Sequence, residues 1–192
     1  FFSKKKRMLP LFGFIFVILF TPIYAKVDQS SLAEKESKYQ FIISMDSDTV
    51  LHENAIHNLL QPFTDSFVKA TTGNVLIKNE KKNLLTRIQA GIYWIGLNIQ
   101  KKGQSYLGGV VCCSGCLSAY RKESLLEVMD DYMNQTFLGN KCHASEDRYL
   151  TNLVIEKRGK IKYAEDAICY TEAPSTLKKY LKSPPSFSPF SF

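Results

Sequence analysis

The chain alternates short apolar runs with longer stretches whose apolar positions recur at helical spacing. The run YQFIISM, residues 39–45, is apolar, of strand length and followed by aspartates, which predicts a buried strand. Residues 51–62 repeat apolar positions at helical spacing up to a proline, which predicts a helix. Residues 66–77 predict either a strand pair or a strand and a turn, centred on Gly73 and Asn74.

The pattern continues with helices and strands in alternation after residue 80. The remaining predicted elements are a helix over 83–102 that ends at Gly103, a strand over 108–115, helices over 121–133 and 145–159, and a strand over 160–170. Strands that alternate with helices indicate an α/β layered domain.

The N-terminal region carries a long uncharged run. Residues 9–25 hold no charged side chain and follow the basic residues KKKR at 4–7. This length lies near the lower limit for a spanning helix and slightly above the apolar core of a signal peptide. We therefore predict a hydrophobic membrane or signal-like segment over residues 1–25. The alternative is a buried element bounded by Pro10 and Pro22.

Composition divides the rest of the chain into three parts. We predict a linker over residues 26–39 and a globular domain over 40–182. Residues 183–192 contain only Ser, Pro and Phe, which predicts a disordered tail.

Charge and cysteine content narrow the possible partners and compartments. The net charge is +7, but the basic residues are dispersed without an interleaved aromatic stripe, so we expect no nucleic-acid partner. Anionic lipid or nucleotide phosphate fits this charge. Five cysteines, two of them adjacent, are a poor layout for a secreted disulfide framework and favour a reducing compartment. Buried free thiols are favoured over a zinc site built from Cys113, Cys116, Cys142 and His143.

Two carboxylates follow the first predicted strand of the globular domain. Asp46 and Asp48 are one residue apart, so in an extended chain they lie on the same side. Carboxylate oxygens are the ligands that hard divalent cations prefer, and ligand sites of α/β proteins lie at the carboxyl ends of strands. The pair is also compatible with an Asx turn or a helix N-cap.

A second charged cluster lies at the start of a predicted helix. Glu146, Asp147 and Arg148 occupy its first turn, where acid–base chemistry, anion binding or simple capping are all compatible with the charges. Between the two clusters, residues 110–123 join an apolar run to small residues that allow close approach of a ligand. A Tyr-Arg-Lys run suited to phosphate or sugar hydroxyls follows.

Several motifs occur in a recognisable order. MDSDT, TGNVLIKNEKKNLLTRI, CCSGCLSAYRKE, NQTFLG, EDRYLTN and TEAPSTLKKYLK resemble the processive, inverting family 2 glycosyltransferases. The resemblance covers about residues 40–182 and is nearest to the membrane hyaluronan synthases, followed by chitin oligosaccharide and poly-N-acetylglucosamine synthases. It implies an α/β fold that forms part of a GT-A (Rossmann-like) glycosyltransferase domain.

The resemblance also implies roles for individual residues. Asp46 and Asp48 match the D-x-D motif that meets the UDP-sugar diphosphate through Mg2+ or Mn2+, with Asp48 the closer ligand. Asp147 matches the general base that deprotonates the acceptor hydroxyl, and Arg148 is assigned to UDP-sugar binding. The residues assigned to the acceptor sugar are Cys113, Ser114, Gly115, Tyr120, Arg121 and Glu146.

The resemblance implies an enzyme that extends a polysaccharide. Its expected partners are UDP-GlcNAc and UDP-GlcA, or UDP-GlcNAc alone, together with the growing polymer and a membrane. The catalytic domain is expected on the cytoplasmic side of that membrane. Hyaluronan synthesis is predicted first, and chitin oligosaccharide or poly-N-acetylglucosamine synthesis is the alternative. The chain shows neither a P-x-Y-N-E-like stretch before the D-x-D nor a Q-Q-x-R-W segment after residue 182. We therefore expect a partial synthase, with a catalytically inactive remnant as the alternative of another class.

Overall fold

The computed structural model describes residues 15–20, 39–137, 140–141 and 146–182. The strands are β1 (Ile15–Phe20), β2 (Phe41–Asp46), β3 (Val50–Leu51), β4 (Val68–Ile77), β5 (Ser118–Arg121), β6 (Thr136–Phe137), β7 (Asn140–Lys141) and β8 (Lys160–Thr171). The helices are α1 (Ala55–Leu60), α2 (Leu84–Ile95), α3 (Lys102–Tyr106), α4 (Lys122–Met133), α5 (Glu146–Glu156) and α6 (Leu177–Lys182). A 3-10 turn, Gln61–Thr64, extends α1, and a π-helical stretch, Gly96–Lys101, joins α2 to α3.

A mixed sheet of six strands organises the described residues, in the order β1-β2-β5-β4-β8-β3. Strand β1 is parallel to β2, and β4 is parallel to β8, whereas β5 runs antiparallel to both of its neighbours. In the β2–β5 pair, Ser44 lies opposite Ser118 and Phe41 lies opposite Arg121. The carboxyl end of β2, with the D-x-D motif, therefore lies beside the segment that enters β5.

Apolar side chains of the sheet and its helices form one core. Helix α1 packs on β8 and β4, α2 packs on β4, and α4 packs on α5. Ile42, Ile43, Leu59, Leu125 and Ile161 are almost completely buried in it. Full burial of a side chain of this size contributes roughly 1.5–3 kcal/mol. This packing fixes the strand ends from which the candidate site is built.

The structure confirms most of the predicted elements and corrects the strand pair or strand and turn expected over residues 66–77. This stretch is the single strand β4, and Gly73 is not in a turn. A Cβ on Gly73 would lie 2.7 Å from the carbonyl oxygen of Ala167 and 2.8 Å from a methyl of Leu117. The glycine is therefore explained by close packing, and the register of β8 against β4 shifts at this point.

The strand predicted over residues 108–115 is also wrong. Gly109 makes an isolated bridge to Ile161, and the next strand begins only at Ser118. Between them, backbone N–H groups bind side-chain hydroxyls instead of a neighbouring strand, as Ser114 does with Thr72. A further correction concerns the long helix, which continues past Gly103 as α3.

The predicted membrane or signal-like segment over residues 1–25 is described only at Ile15–Phe20. These residues form β1, an edge strand paired with β2, rather than part of a helix. Among the described residues, no helix combines the length and the apolar character needed to cross a membrane. The rest of that segment, residues 26–38 of the linker and the predicted tail over 183–192 lie outside the described residues.

Candidate active site

The D-x-D motif forms the turn that leaves β2. The backbone N–H of Thr49 donates to the carbonyl of Asp46 at 3.1 Å and closes this turn. Helix α1 begins only at Ala55, with Asn54 at its N-cap. Asp48 is exposed and is not the N-cap of this helix. The capping alternative is therefore wrong for Asp48, whose carboxylate faces solvent.

Two carboxylates that are far apart in sequence meet at Gly115. The backbone N–H of Gly115 donates to Oδ2 of Asp147 at 2.9 Å. A Cβ on this glycine would lie 2.8 Å from Oδ2 of Asp147 and 3.4 Å from Oδ1 of Asp46. The end of β2 and the first turn of α5 thus bring their aspartates together beside one residue that has no side chain.

Buried hydroxyl groups hold the segment around Gly115. The N–H of Cys113 donates to Oγ1 of Thr151 at 2.9 Å, and the N–H of Ser114 donates to Oγ1 of Thr72 at 3.0 Å. Oγ1 of Thr151 donates in turn to the carbonyl of Asp147, so one hydroxyl ties this segment to the first turn of α5. The sequence analysis assigned no role to either threonine. The spacing of Thr151 four residues after Asp147 is the signal that could have found it, since such residues share a helix face.

A thiol and a phenol adjoin the Asp46 carboxylate. Sγ of Cys116 donates to Oδ2 of Asp46 at 3.2 Å. Burial raises the pKa of Asp46, the Cys116 hydrogen bond opposes that rise, and the neighbouring Asp48 adds to it. Burial also raises the pKa of Tyr93 on α2, with further contributions from Cys116, Asp46 and Asp48. A cation at the D-x-D would favour the ionised form of Asp46. Tyr93 is an additional residue of this site, and no signal in the sequence points to it.

An open cleft of about 160 Å³ adjoins Asp48. Its lining residues are Asp48, Val50, Lys78, Tyr170, Thr171 and Glu172. Lys78 at the end of β4 is the cation of this lining, and the cleft therefore combines carboxylates with an ammonium group. Such a mixture suits a polar, charged ligand better than an apolar one.

Of the two neighbouring residues predicted to bind the acceptor, Arg121 is not brought to this site, whereas Tyr120 lies beneath the site in the core. Tyr120 is buried, and its hydroxyl hydrogen-bonds with the thiol of Cys113 inside the core. The Arg121 guanidinium donates to the carbonyls of Phe63 at 2.6 Å and Val68 at 2.8 Å. It lies at the opposite end of β5 from the glycine segment, about 15 Å along the strands from Asp46.

The other predicted residues lie close to the site or are only partly described. Arg148 is half-buried next to Asp147, where it hydrogen-bonds with the thiol of Cys112. Glu146 begins α5, but its side chain lies outside the described residues.

The zinc alternative finds no support in the described part of the chain. The described cysteines are free thiols, namely Cys112, Cys113, Cys116 and Cys169. Across the described ranges, no group of three or more His, Cys, Asp or Glu side chains is arranged to hold a metal ion. The other two residues of the zinc hypothesis, Cys142 and His143, lie outside these ranges.

The order of these motifs and their geometry agree with comparisons across known proteins. Residues 19–184 match the chitin synthase family. The chain belongs to this family. It is 39% identical over 150 residues to a hyaluronan synthase of Streptococcus pyogenes, covering 78% of this chain and 36% of that protein. It is 34% identical over 150 residues to an N-acetylglucosaminyltransferase of Rhizobium sp. strain N33, covering 78% of this chain and 33% of that protein.

A solved structure supports the fold of this family member. A mannosyltransferase from Pyrobaculum calidifontis, in complex with GDP-Man and Mn2+, superposes with a TM-score of 0.56 at 14% identity. The match covers 87% of this chain and 47% of that one. The predicted α/β GT-A fold is therefore confirmed. The chain spans about a third of the length of the curated relatives it matches.

Proposed function

We propose that the chain carries the metal and acceptor side of a glycosyltransferase that moves sugar from a UDP-sugar to a growing polysaccharide. The observation that carries this proposal is the convergence of Asp46 and Asp147 on Gly115 in a member of the chitin synthase family. The hyaluronan synthase relative favours hyaluronan as the product, with UDP-GlcNAc and UDP-GlcA as donors.

The donor set at the D-x-D fits Mg2+ or Mn2+. Asp46 and Asp48 supply hard carboxylate oxygens, and Asp48 is exposed to the cleft. Two protein carboxylates suit such a cation, because Mg2+ commonly completes its shell with substrate phosphates and water. The bound ion would offset the negative charge that builds on the departing diphosphate. The Mn2+ complex of the structurally similar mannosyltransferase supports this assignment.

Asp147 acts as the general base in this proposal. Its carboxylate accepts the proton of the acceptor hydroxyl while the acceptor oxygen attacks C1 of the donor sugar, which inverts the anomeric centre. The N–H of Gly115 donates to Oδ2 of Asp147 and orients this carboxylate. The missing side chain at Gly115 leaves room for the Asp147 carboxylate beside the backbone N–H and close to Asp46.

The remaining predicted binding residues keep proposed roles according to their positions. We assign Arg148, at the start of α5, to UDP-sugar binding, and Cys113 and Ser114, which adjoin Gly115, to acceptor binding. The domain works at the cytoplasmic side of a membrane, where free thiols such as that of Cys113 persist.

A polymer of GlcNAc alone is the second candidate product. The match to the chitin synthase family and the Rhizobium N-acetylglucosaminyltransferase both favour it. The two products differ in their donors, because hyaluronan requires UDP-GlcA and the second polymer does not. Labelled GlcNAc that enters polymer at full rate without UDP-GlcA would support the second candidate.

The test compares the chain with two single variants in membranes supplied with labelled UDP-GlcNAc, UDP-GlcA and Mn2+. We expect Asp147→Asn to lower incorporation by about 10²- to 10⁴-fold, the usual contribution of a general base. Asp130→Asn is the matched control, since Asp130 is an exposed aspartate on α4. Equal incorporation by the wild type and Asp147→Asn would refute the base assignment.

Binding of UDP gives a second readout that does not depend on turnover. We expect Mn2+ to strengthen the binding of UDP in titration calorimetry, and Asp48→Asn to remove this effect while Asp130→Asn retains it. A chain that neither binds UDP with Mn2+ nor incorporates sugar would be the inactive remnant.

A further inference from the structure

The outward side of the α2–α3 rod is apolar where a surface helix is normally polar. The π-helical stretch keeps this rod continuous over residues 84–106, a length of about 30 Å. Its inward side packs on β4 through α2 and on β8 through α3, and Thr86 and Leu97 are buried along it. The exposed side carries the residues that we call the apolar face: Leu84, Ile88, Trp94, Ile95, Ile99 and Tyr106.

These side chains are exposed to an extent that is unusual for their type. Leu84 is 71% exposed, Trp94 is 56% exposed and Tyr106 is 81% exposed. Contiguous exposed apolar patches of this kind mark interaction surfaces more often than they mark ordinary solvent-facing helices. Trp and Tyr are also the side chains that favour the boundary between lipid headgroups and hydrocarbon.

The charge on the rod and on the segment before it is mostly positive, although Glu165 of β8 forms an ion pair with Lys102 of α3 at 2.6 Å. Between Glu80 and Glu123 the sequence contains no Asp or Glu. Lys81 and Lys82 are exposed just before α2, and Arg87 is exposed within it. An apolar helical face with Trp, bordered by lysine and arginine, is the pattern of helices that lie in the plane of a membrane surface.

We propose that the apolar face docks on an anionic lipid surface, with the α2–α3 rod lying along the plane of the headgroups. The apolar side chains enter the boundary of the acyl chains, and Lys81, Lys82 and Arg87 contact the lipid phosphates. The inference is independent of catalysis and of the apolar segment over residues 9–25. It adds a contact that is made by the folded domain itself.

Charge also argues against the simplest alternative occupant. Two copies of this chain that paired through their apolar faces would bring cations of the same sign together, with no acidic residue of the rod to balance them. An anionic surface balances the same cations. The docked rod also places Tyr93, which lies inward beside the Asp46 carboxylate, close to the membrane.

Trp94 makes the proposal directly measurable, because it is the sole tryptophan of the chain. We expect vesicles of phosphatidylcholine with about one third phosphatidylserine to shift the Trp94 emission to shorter wavelength, and brominated acyl chains to quench it. Segment 9–25 contains no tryptophan, so its own insertion does not produce this signal. High salt should weaken the signal, because the phosphate contacts are screened.

Variants separate the apolar and the charged contributions. We expect Lys81→Gln and Lys82→Gln each to weaken vesicle binding about fivefold. The double variant Ile95→Ser/Ile99→Ser should weaken it at least about tenfold, whereas the control Phe67→Ser should leave it unchanged. Phe67 is 65% exposed but precedes β4, outside the apolar face.

Three results would overturn the proposal. The first is a chain that co-floats with anionic vesicles in a density gradient while its Trp94 emission is unchanged, since binding through segment 9–25 would then explain the flotation. The second is equal binding to pure phosphatidylcholine. The third is a dimer in sedimentation whose Trp94 is shielded from acrylamide without lipid, because a second copy would then cover the face.

Discussion

Replacement of Gly115 by alanine tests the geometry of the candidate site with one added methyl group. The new Cβ would lie 2.8 Å from Oδ2 of Asp147, closer than real Cβ contacts allow, and 3.4 Å from Oδ1 of Asp46. Because the nearer atom is the end of a side chain rather than backbone, the Asp147 carboxylate moves and the fold does not. That movement also lengthens its 2.9 Å hydrogen bond from the Gly115 N–H.

The expected effect separates activity from stability. A displacement of about 1 Å in a reacting group lowers the rate about 10²-fold, and Asp147 is the proposed base. We therefore expect Gly115→Ala to lower kcat about 10²-fold, with a change in unfolding free energy of no more than about 1 kcal/mol. Gly115 has no left-handed φ, so alanine introduces no backbone strain there.

The assay measures sugar incorporation from UDP-GlcNAc and UDP-GlcA, together with unfolding by circular dichroism. Gly109→Ala is the matched control, because a Cβ at Gly109 meets nothing within 4 Å. The proposed geometry is refuted if Gly115→Ala keeps the activity of Gly109→Ala. A large loss of stability in Gly115→Ala would instead show that the methyl group displaces backbone.

Three other predictions test the surroundings of the site. Thr151→Val leaves the buried Cys113 N–H without its acceptor and should lower the unfolding free energy by about 1–3 kcal/mol, whereas Thr151→Ser should retain most of the stability. Equal stability of the two variants would contradict the assigned hydrogen bond. Arg121→Met should lower the unfolding free energy by at least about 2 kcal/mol, because the guanidinium donates hydrogen bonds to backbone carbonyls, and should leave the KM for an acceptor oligosaccharide unchanged. A raised KM in the folded variant would support the acceptor role of Arg121 instead. Burial raises the pKa of Cys113 to about 12, so at pH 8 its thiolate fraction is about a thousandfold below that of a thiol with the ordinary pKa of 9.0. Iodoacetamide labelling followed by peptide mass spectrometry should therefore show slow modification of Cys113 in the native state. The labelling rate should rise about tenfold per pH unit below that pKa and become fast in urea, and rapid native labelling at pH 8 would contradict the burial.

Local pattern was enough to predict the elements that carry the site. The apolar run before Asp46 specified β2, and the helical spacing after Glu146 specified α5, because both signals are contained in neighbouring residues. The family motifs added the α/β GT-A fold, which the structural comparison confirms. The roles of Asp46, Asp48 and Asp147 remain proposals that the geometry supports.

Local pattern failed where distant residues compete for the same backbone groups. Residues 108–115 have the composition of a strand, yet hydroxyls of Thr72 and Thr151 take the N–H groups of Ser114 and Cys113. A run of apolar and small residues does not reveal which partners its backbone will meet.

The same limit explains the two predicted acceptor residues of which one lies beneath the site and the other away from it. Both residues follow the glycine segment closely in sequence, but the Tyr120 hydroxyl is buried in the core against Cys113, and the extended strand carries Arg121 away at about 3.3 Å per residue. Arg121 then binds carbonyls at the far end of β5, a partnership set by the pairing of β5 with β2 and β4. Proximity in sequence therefore overstated its proximity to the site.

The sequence by itself determined that a buried strand ends in two carboxylates and that a charged helix start follows about a hundred residues later. Only the tertiary structure decided that Asp46 and Asp147 meet at Gly115, and that the outward side of the α2–α3 rod remains uncovered by the described residues. The physical reason is the range of the interactions. Alternation and helical periodicity are properties of adjacent residues, whereas strand register, the packing of α5 and the exposure of a helix face depend on contacts between distant parts of the chain.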